Sequence, residues 1–215
     1  MSIGRPPSTT REEIEAAALD LFAAHGVEAT KVDDIAAAVG VGRRTLFRYF
    51  ESKNDIAWGD FDWVMERLRA ALEAGADLPL MEALRRAVVE SNRYPPDQEP
   101  GLRTRMTLIT GTAALQAHSA LRYAEWRGVV ADWAAARLGE APGDLRPRVI
   151  GYAALGTAMA SFERWVASED EDLLGLLDEA FAALAAGFSV DGPKSADMER
   201  FSAHQHRGSA GGDER

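Results

Sequence analysis

Two apolar stripes that meet at a glycine hinge between Thr30 and Phe50 constrain this chain more than any other feature. Val32, Ile35, Ala36 and Val39 recur at i, i+3, i+4 and i+7, the spacing that gathers apolar groups on one face of a helix. Thr30 is placed to cap that helix, Asp33 lies in its first turn where a negative charge suits the dipole, and Gly40 ends it. Gly42 opens a second helix, in which Leu46 and Phe50, four residues apart, turn inward. Arg43, Arg44, Thr45, Phe47, Arg48 and Tyr49 are then left on the outward side or its flanks. The major groove of a duplex admits one helix, and arginine forks match the O6 and N7 atoms of guanine there, so the pair reads as a helix-turn-helix. Lys53, just beyond Ser52, is expected near a phosphate.

A helix pair alone is weak evidence, since arginines often do no more than solvate a face. Here a third element agrees with it. Thr10 and Glu13 form a capping-box pattern, Gly26 supplies a stop, and between them Ile14, Ala17, Ala18, Leu21 and Phe22 make an apolar stripe that completes a three-helix core. Charge supports the same reading. The chain carries 24 Lys+Arg against 34 Asp+Glu, a net charge of −10, which argues against indiscriminate coating of nucleic acid. Between Val41 and Lys53, however, Arg43, Arg44, Arg48 and Lys53 face only Glu51, a local patch opposite in sign to the whole.

The run from Arg11 to Asp55, centred on VDDIAAAVGVGRRTLFRYFESKNDI, resembles the N-terminal domain of TetR-type bacterial repressors. The resemblance implies an all-helical homodimer whose N-terminal domain reads operator DNA and whose larger C-terminal domain binds a small molecule that releases it. Carried over by position, Arg43, Arg44 and Thr45 would face the groove, while Tyr49 and Lys53 would hold phosphates. Gly42 stands where such proteins often have a capping Ser or Thr, and Phe47 where Tyr is common, so two hydroxyls are missing. The segments FRYFESKNDIAWGDFD and LQAHSALRYAEWR are further similar to the subgroup that regulates mycofactocin-type redox cofactor genes, and that similarity implies a long-chain acyl-coenzyme A as ligand.

Length suits a small head plus one ordinary core domain. The expected division is a flexible arm over 1–10, a DNA-binding domain over 11–53, a ligand-binding and dimerisation domain over 54–188 and a disordered tail over 189–215, where Gly, Ser and charges dominate. Arg5 in the arm could reach a minor groove. Helices are expected near Lys53 to Ala74, Leu80 to Tyr94, Leu102 to Thr110, Thr112 to Leu138, Asp144 to Ala167 and Asp172 to Gly187, with no strand-like alternation to compete. The fold class is therefore all-α. The first of these helices would join head to body.

Large adaptable side chains crowd that body. An apolar effector pocket would draw on Phe61, Met65, Met106, Ile109, Tyr152, Met159 and Phe162, with His118, Arg122, Tyr123, Trp126 and Glu163 as its polar or amphipathic wall. Arg103 and Arg105 could meet an anionic head group. Small residues such as Gly151 and Gly156, together with the stripe ending in Phe181, Leu184 and Phe188, suit an isologous four-helix packing of two subunits.

The absence of cysteine excludes disulfides and thiolate chemistry. There is no glycine-rich phosphate loop and no HExxH, so neither an enzyme nor a resident cofactor is expected. The run Glu169 to Asp172 precedes a helix, where the dipole accounts for it, and His204 and His206 in the tail make a poor metal site. The first residues lack the apolar run of a signal peptide, and the longest uncharged stretch, Val149 to Phe162, is too short to span a bilayer, so a cytoplasmic protein is expected. The remaining alternative is a helical adaptor or small-molecule-binding protein that never meets DNA.

Overall fold

The computed structural model describes residues 9–187. Most of the arm with Arg5, Phe188, and the tail with His204 and His206 lie outside the described residues. Ten helices follow one another among the described residues, with no strand.

Helix α1 (Arg11–His25) starts at the expected capping box: the Thr10 hydroxyl accepts from the Glu13 amide at 3.2 Å and the Glu13 carboxylate accepts from the Thr10 amide at 3.0 Å. Helices α2 (Val32–Ala38) and α3 (Arg43–Leu46) are joined through Gly40, whose φ of +68° lets the Val41 amide reach back to the Ala36 carbonyl at 2.9 Å. Ile14, Phe22, Ile35, Leu46 and Phe50 close the head around a buried centre.

Two local expectations are corrected here. Thr30 does not cap α2. Lys31 holds that position, its amide donating to the Asp34 carboxylate at 2.9 Å, while the buried Thr30 hydroxyl donates to the Gly26 and Leu21 carbonyls at 2.8 and 3.3 Å. The second concerns the connecting helix, which is two helices. Helix α4 (Lys53–Trp58) stops at Gly59, with φ +64°, and α5 (Phe61–Ala74) restarts on Asp60, whose carboxylate accepts from the Trp63 amide at 3.1 Å. The positive φ is what requires glycine there, and a Cβ added to residue 59 would also meet the Arg105 guanidinium, which lies against it.

The body continues through α6 (Leu80–Ser91), α7 (Glu99–Gly111), α8 (Ala113–Leu138), α9 (Leu145–Ala167) and α10 (Leu173–Ala185). Helix α7 begins three residues earlier than expected, because Pro100 in its first turn gives up an amide that has no intrahelical partner anyway. Helix α8 packs most extensively on α9, and α10 lies against both α9 and α6. A continuous buried cluster runs from Ile14, Ile35 and Leu46 in the head through Ile56 and Phe61 to Trp165 and Phe181. Head and body therefore share one core.

That core also corrects part of the dimerisation expectation. Phe181 is fully buried inside its own subunit, and Leu184 packs against the same cluster. Gly151 is buried where α9 meets α8, and a Cβ added to it would stand 2.7 Å from the Arg127 carbonyl oxygen. The close approach at Gly151 is intrachain. Gly156, in contrast, is exposed with open space around it, and it continues a stripe on the outer face of α9 made by Leu145, Val149 and Tyr152, which are 79%, 54% and 56% exposed.

Candidate DNA interface and effector cavity

On the head, Arg43, Arg44, Phe47 and Arg48 are exposed on and just after α3, and Thr45 is half-buried. Arg43 lies 3.7 Å from Asp33, with both side chains mostly exposed, and its guanidinium sits 5.5 Å from the Phe47 ring. Such a surface pair is worth little and yields readily to a phosphate or base. Arg44 makes no hydrogen bond or ion pair with the described residues. Tyr49 is fastened from behind: its hydroxyl donates to the Thr9 carbonyl at 2.9 Å, its own carbonyl accepts from Arg11 at 3.2 Å, and Arg48 stacks over its ring at 5.2 Å.

Lys53 is placed differently from the sequence expectation. Its ammonium donates to the Val27, Thr30 and Glu28 carbonyls at 2.5, 2.8 and 3.3 Å, and so ties the start of α4 to the turn between α1 and α2. An ammonium has three protons, and all three are directed at backbone oxygens here rather than at a phosphate. Thr30, equally, turns its hydroxyl inward.

Two polar clusters join head to body. In the first, Asp55 accepts from Ser52 at 2.7 Å, lies 2.8 Å from the His118 Nε2 and accepts from Arg122 at 3.3 Å. His118 and Arg122 were expected in the effector pocket; they are spent on this α4 carboxylate, and Arg122 also covers the Phe61 ring at 5.1 Å. Burial pushes the Asp55 carboxyl up, but the hydrogen bonds from Ser52, His118 and Arg122 outweigh it and hold the group below the usual aspartate range. A carboxylate with a depressed native pKa adds stability that is complete above its unfolded value of about 3.9 and disappears as pH falls through the lower native value. Asp55→Asn is accordingly expected to lower stability at pH 7 and to match the wild-type chain at the acid end. Thermal unfolding from pH 7 to pH 2 measures this, and parallel curves would remove Asp55 from the junction.

In the second cluster, Arg105 of α7 donates to the Ala57 carbonyl at 2.7 Å, approaches the Ile56 carbonyl at 3.5 Å and pairs with Glu15 of α1 at 2.9 Å. Arg11 donates to the Gly59 carbonyl at 3.2 Å beside it.

Arg105 also lines an apolar cavity of about 100 Å³ between α5, α7, α8 and α9. Of the residues expected there, Phe61, Met106, Ile109, Tyr123, Trp126, Met159 and Phe162 line it. The others do not. Met65 is buried elsewhere in the core, Tyr152 is exposed beneath Arg127, and Glu163 is exposed. Arg103 donates to the Trp165 and Ser168 carbonyls at the end of α9 and stacks over the Trp165 ring at 4.1 Å. Arg105, expected at an anionic head group, does line the cavity, and Trp58, Val64, Tyr94 and Leu155 are cavity residues that the sequence did not single out. Trp58 meets Phe61 and Tyr123 edge-on, each at 5.5 Å. Burial raises the phenol pKa of both Tyr94 and Tyr123, so their hydroxyls keep their protons at neutral pH.

A second hollow of about 330 Å³ opens outside the cavity, and the two share Trp58, Val64, Tyr94, Leu102 and Arg105 as a common wall. The inner cavity alone falls below the usual range for a ligand pocket, whereas the outer one lies within it.

Residues 14–57 match the family model described as bacterial regulatory proteins, tetR family, and residues 78–189 match the MftR C-terminal domain. The chain belongs to the TetR family of transcriptional regulators. A Mycobacterium tuberculosis protein named as a mycofactocin biosynthesis transcriptional regulator, MftR, is 40% identical over 186 residues, which cover 86% of this chain and 94% of that protein. The HTH-type transcriptional regulator TcmR of Streptomyces glaucescens is 34% identical, over 78% of this chain and 77% of its own. Among solved structures, Thermus thermophilus FadR in complex with lauroyl-CoA superposes with a TM-score of 0.56 at 22% identity, over 86% of this chain and 98% of that one, and shares the fold. As a TetR-family regulator the chain is a DNA-binding transcription factor and not an enzyme. Among the described residues no helix is long and apolar enough to cross a membrane.

Proposed function

We propose that this TetR-family regulator is a cytoplasmic homodimeric repressor. It binds operator DNA through α3 and is released when an apolar effector occupies the space between α5, α7, α8 and α9. The working division is the DNA-reading head at 11–53 and the effector and dimerisation body at 54–188. The observation that carries the reading is the position of Arg105 and Trp58: they stand in the cavity wall at the end of α4, the helix that leads out of the head. An occupant there touches the element that aims α3. Acyl-coenzyme A thioesters are the first effector class to test, since the Thermus FadR of the same fold was solved with lauroyl-CoA. The MftR likeness makes genes for mycofactocin biosynthesis the first candidates for control. The exposed stripe of Leu145, Val149, Tyr152 and Gly156 on α9 is the proposed subunit interface.

The experiment is selection of operator sequences from random duplex DNA, followed by binding titrations against acyl-coenzyme A thioesters of increasing chain length. An effector releases DNA only if it favours the DNA-incompetent arrangement, since equal affinity for both shifts nothing. Arg44→Ala is expected to cost about 1–3 kcal/mol of operator affinity and to relax preference at one base position, as a lost bidentate guanine contact does. An unchanged selection profile would take Arg44 out of base reading. If no thioester and no molecule carried through purification lowers operator affinity, the release step is wrong and the chain is a constitutive DNA-binding protein.

A further inference from the structure

The cavity wall is apolar almost throughout, with one feature out of place. The indole Nε1 of Trp58 is buried and has no hydrogen-bond partner among the described residues. A buried donor without an acceptor costs about 1–3 kcal/mol, so such groups in native proteins are normally satisfied by something. The second strong donor in the same wall is Arg105, whose partners among the described residues, Glu15 and the Ala57 and Ile56 carbonyls, all belong to the head or its connecting helix. Guanidinium on the last carbonyls of α4 suits the negative end of that helix. Glu15 has an alternative partner in Arg11, 3.2 Å away, and so would not be stranded if Arg105 turned from it.

We propose that the effector is a lipophile ending in an oxygen acceptor, that Trp58 and Arg105 hold this oxygen, and that drawing Arg105 off Glu15 and the α4 carbonyls is the step by which occupancy reaches the head. This rests on the ligand-release reading above and specifies its chemistry. The apolar part of the ligand lies among Phe61, Met106 and Phe162, while the oxygen sits at the wall shared with the outer hollow. Arg105 is a positioning residue for DNA binding and a specificity residue for the effector. Trp58 acts on specificity alone. A carbonyl and a carboxylate offer the same acceptor, and the probes separate them.

The test uses the full chain, its selected operator, and three probes of equal length: undecane, 2-undecanone and undecanoate. Occupancy is read by displacement of the neutral dye N-phenyl-1-naphthylamine, and coupling by operator affinity with and without probe. For the wild-type chain, 2-undecanone or undecanoate should bind about fivefold or more tightly than undecane, the effect of one satisfied buried donor. Trp58→Phe, which keeps an aromatic ring but loses the N–H with the pyrrole half of the indole, should bring the three probes within about twofold of one another. Arg105→Met should still bind probe within about tenfold of wild type, while operator affinity no longer responds to it. Glu15→Gln, which weakens the hold of the head on Arg105, should tighten probe binding and lower the probe concentration needed for release.

A wild-type chain that binds undecane as tightly as the oxygenated probes overturns the acceptor assignment. Full operator response in a folded Arg105→Met chain, or in the uncharged Arg105→Gln should the Met variant unfold, overturns the coupling. Probe occupancy without operator release in the wild-type chain overturns the ligand-release reading itself, and dye that never binds overturns the cavity and this proposal with it.

Discussion

Leucine in place of Gly151 is expected to destabilise the folded subunit by about 3 kcal/mol or more, whereas leucine in place of Gly156 should leave the subunit folded and separate the dimer. Both glycines lie on α9 five residues apart and look alike in sequence. Around Gly151 the Arg127 carbonyl of α8 already occupies the space where a Cβ would stand, so a larger side chain must push apart the most extensive helix contact in the body. Overpacking a rigid backbone contact costs about 1–3 kcal/mol, and occasionally more. Around Gly156 nothing lies within 4 Å, and exchanging an exposed helical glycine for leucine gains up to about 1 kcal/mol of helix propensity. The same leucine would stand in the proposed interface and weaken association by about tenfold or more. Denaturant unfolding and sedimentation on both variants read the two effects separately. A Gly156→Leu dimer as tight as wild type would move the interface off the outer face of α9.

Lys53→Met is expected to cost about 3 kcal/mol of stability and to abolish operator binding at temperatures where the wild-type chain still binds. The aliphatic stem is preserved, so the loss is that of a charged donor to three carbonyls, of which each such bond contributes about 1.5–3 kcal/mol before the partial exposure of the group is counted. Those carbonyls belong to the turn from Val27 to Thr30, which sets the angle between α1 and α2. Thermal unfolding together with operator titration at several salt concentrations distinguishes this role from the phosphate contact that position alone suggested. A phosphate contact would leave stability unchanged and reduce the salt dependence by about one counterion.

What the sequence made legible was local. The capping box of Thr10 and Glu13, the hinge at Gly40 and the inward pair Leu46 and Phe50 each depend on residues within a turn or two of one another, and all three stand as read. The apolar cavity walls were legible for a related reason: Phe61, Met106, Met159 and Phe162 have few places to go in water other than between helices. The polar assignments failed where a partner lies far away in the chain. His118 and Arg122 are claimed by Asp55, 63 and 67 residues earlier, and Lys53 by carbonyls 23 to 26 residues earlier. Nothing in local spacing announces such a partner.

Arg103 and Arg105 make the same point within one helix. Two residues apart on α7, they stand some 200° apart around its axis, so one reaches the end of α9 and the other the cavity and the head. Their composition is identical; only the phase of the helix separates a packing arginine from a coupling one. The break at Gly59, by contrast, has a local cause in the glycine at positive φ and the Asp60 cap that follows it.

The brevity of α3 sets a limit on information. Four residues rise about 6 Å along a helix axis, and base pairs stack every 3.4 Å, so one head in the groove spans about two base-pair steps with its helical residues. Singling out one site among a million competitors takes about ten specified base pairs. A lone head therefore falls far short of addressing a genome. In the proposed dimer a second head doubles the bases read, and the distance held between the two heads becomes part of the address, so a change that loosens the body blurs that address without touching a single base contact.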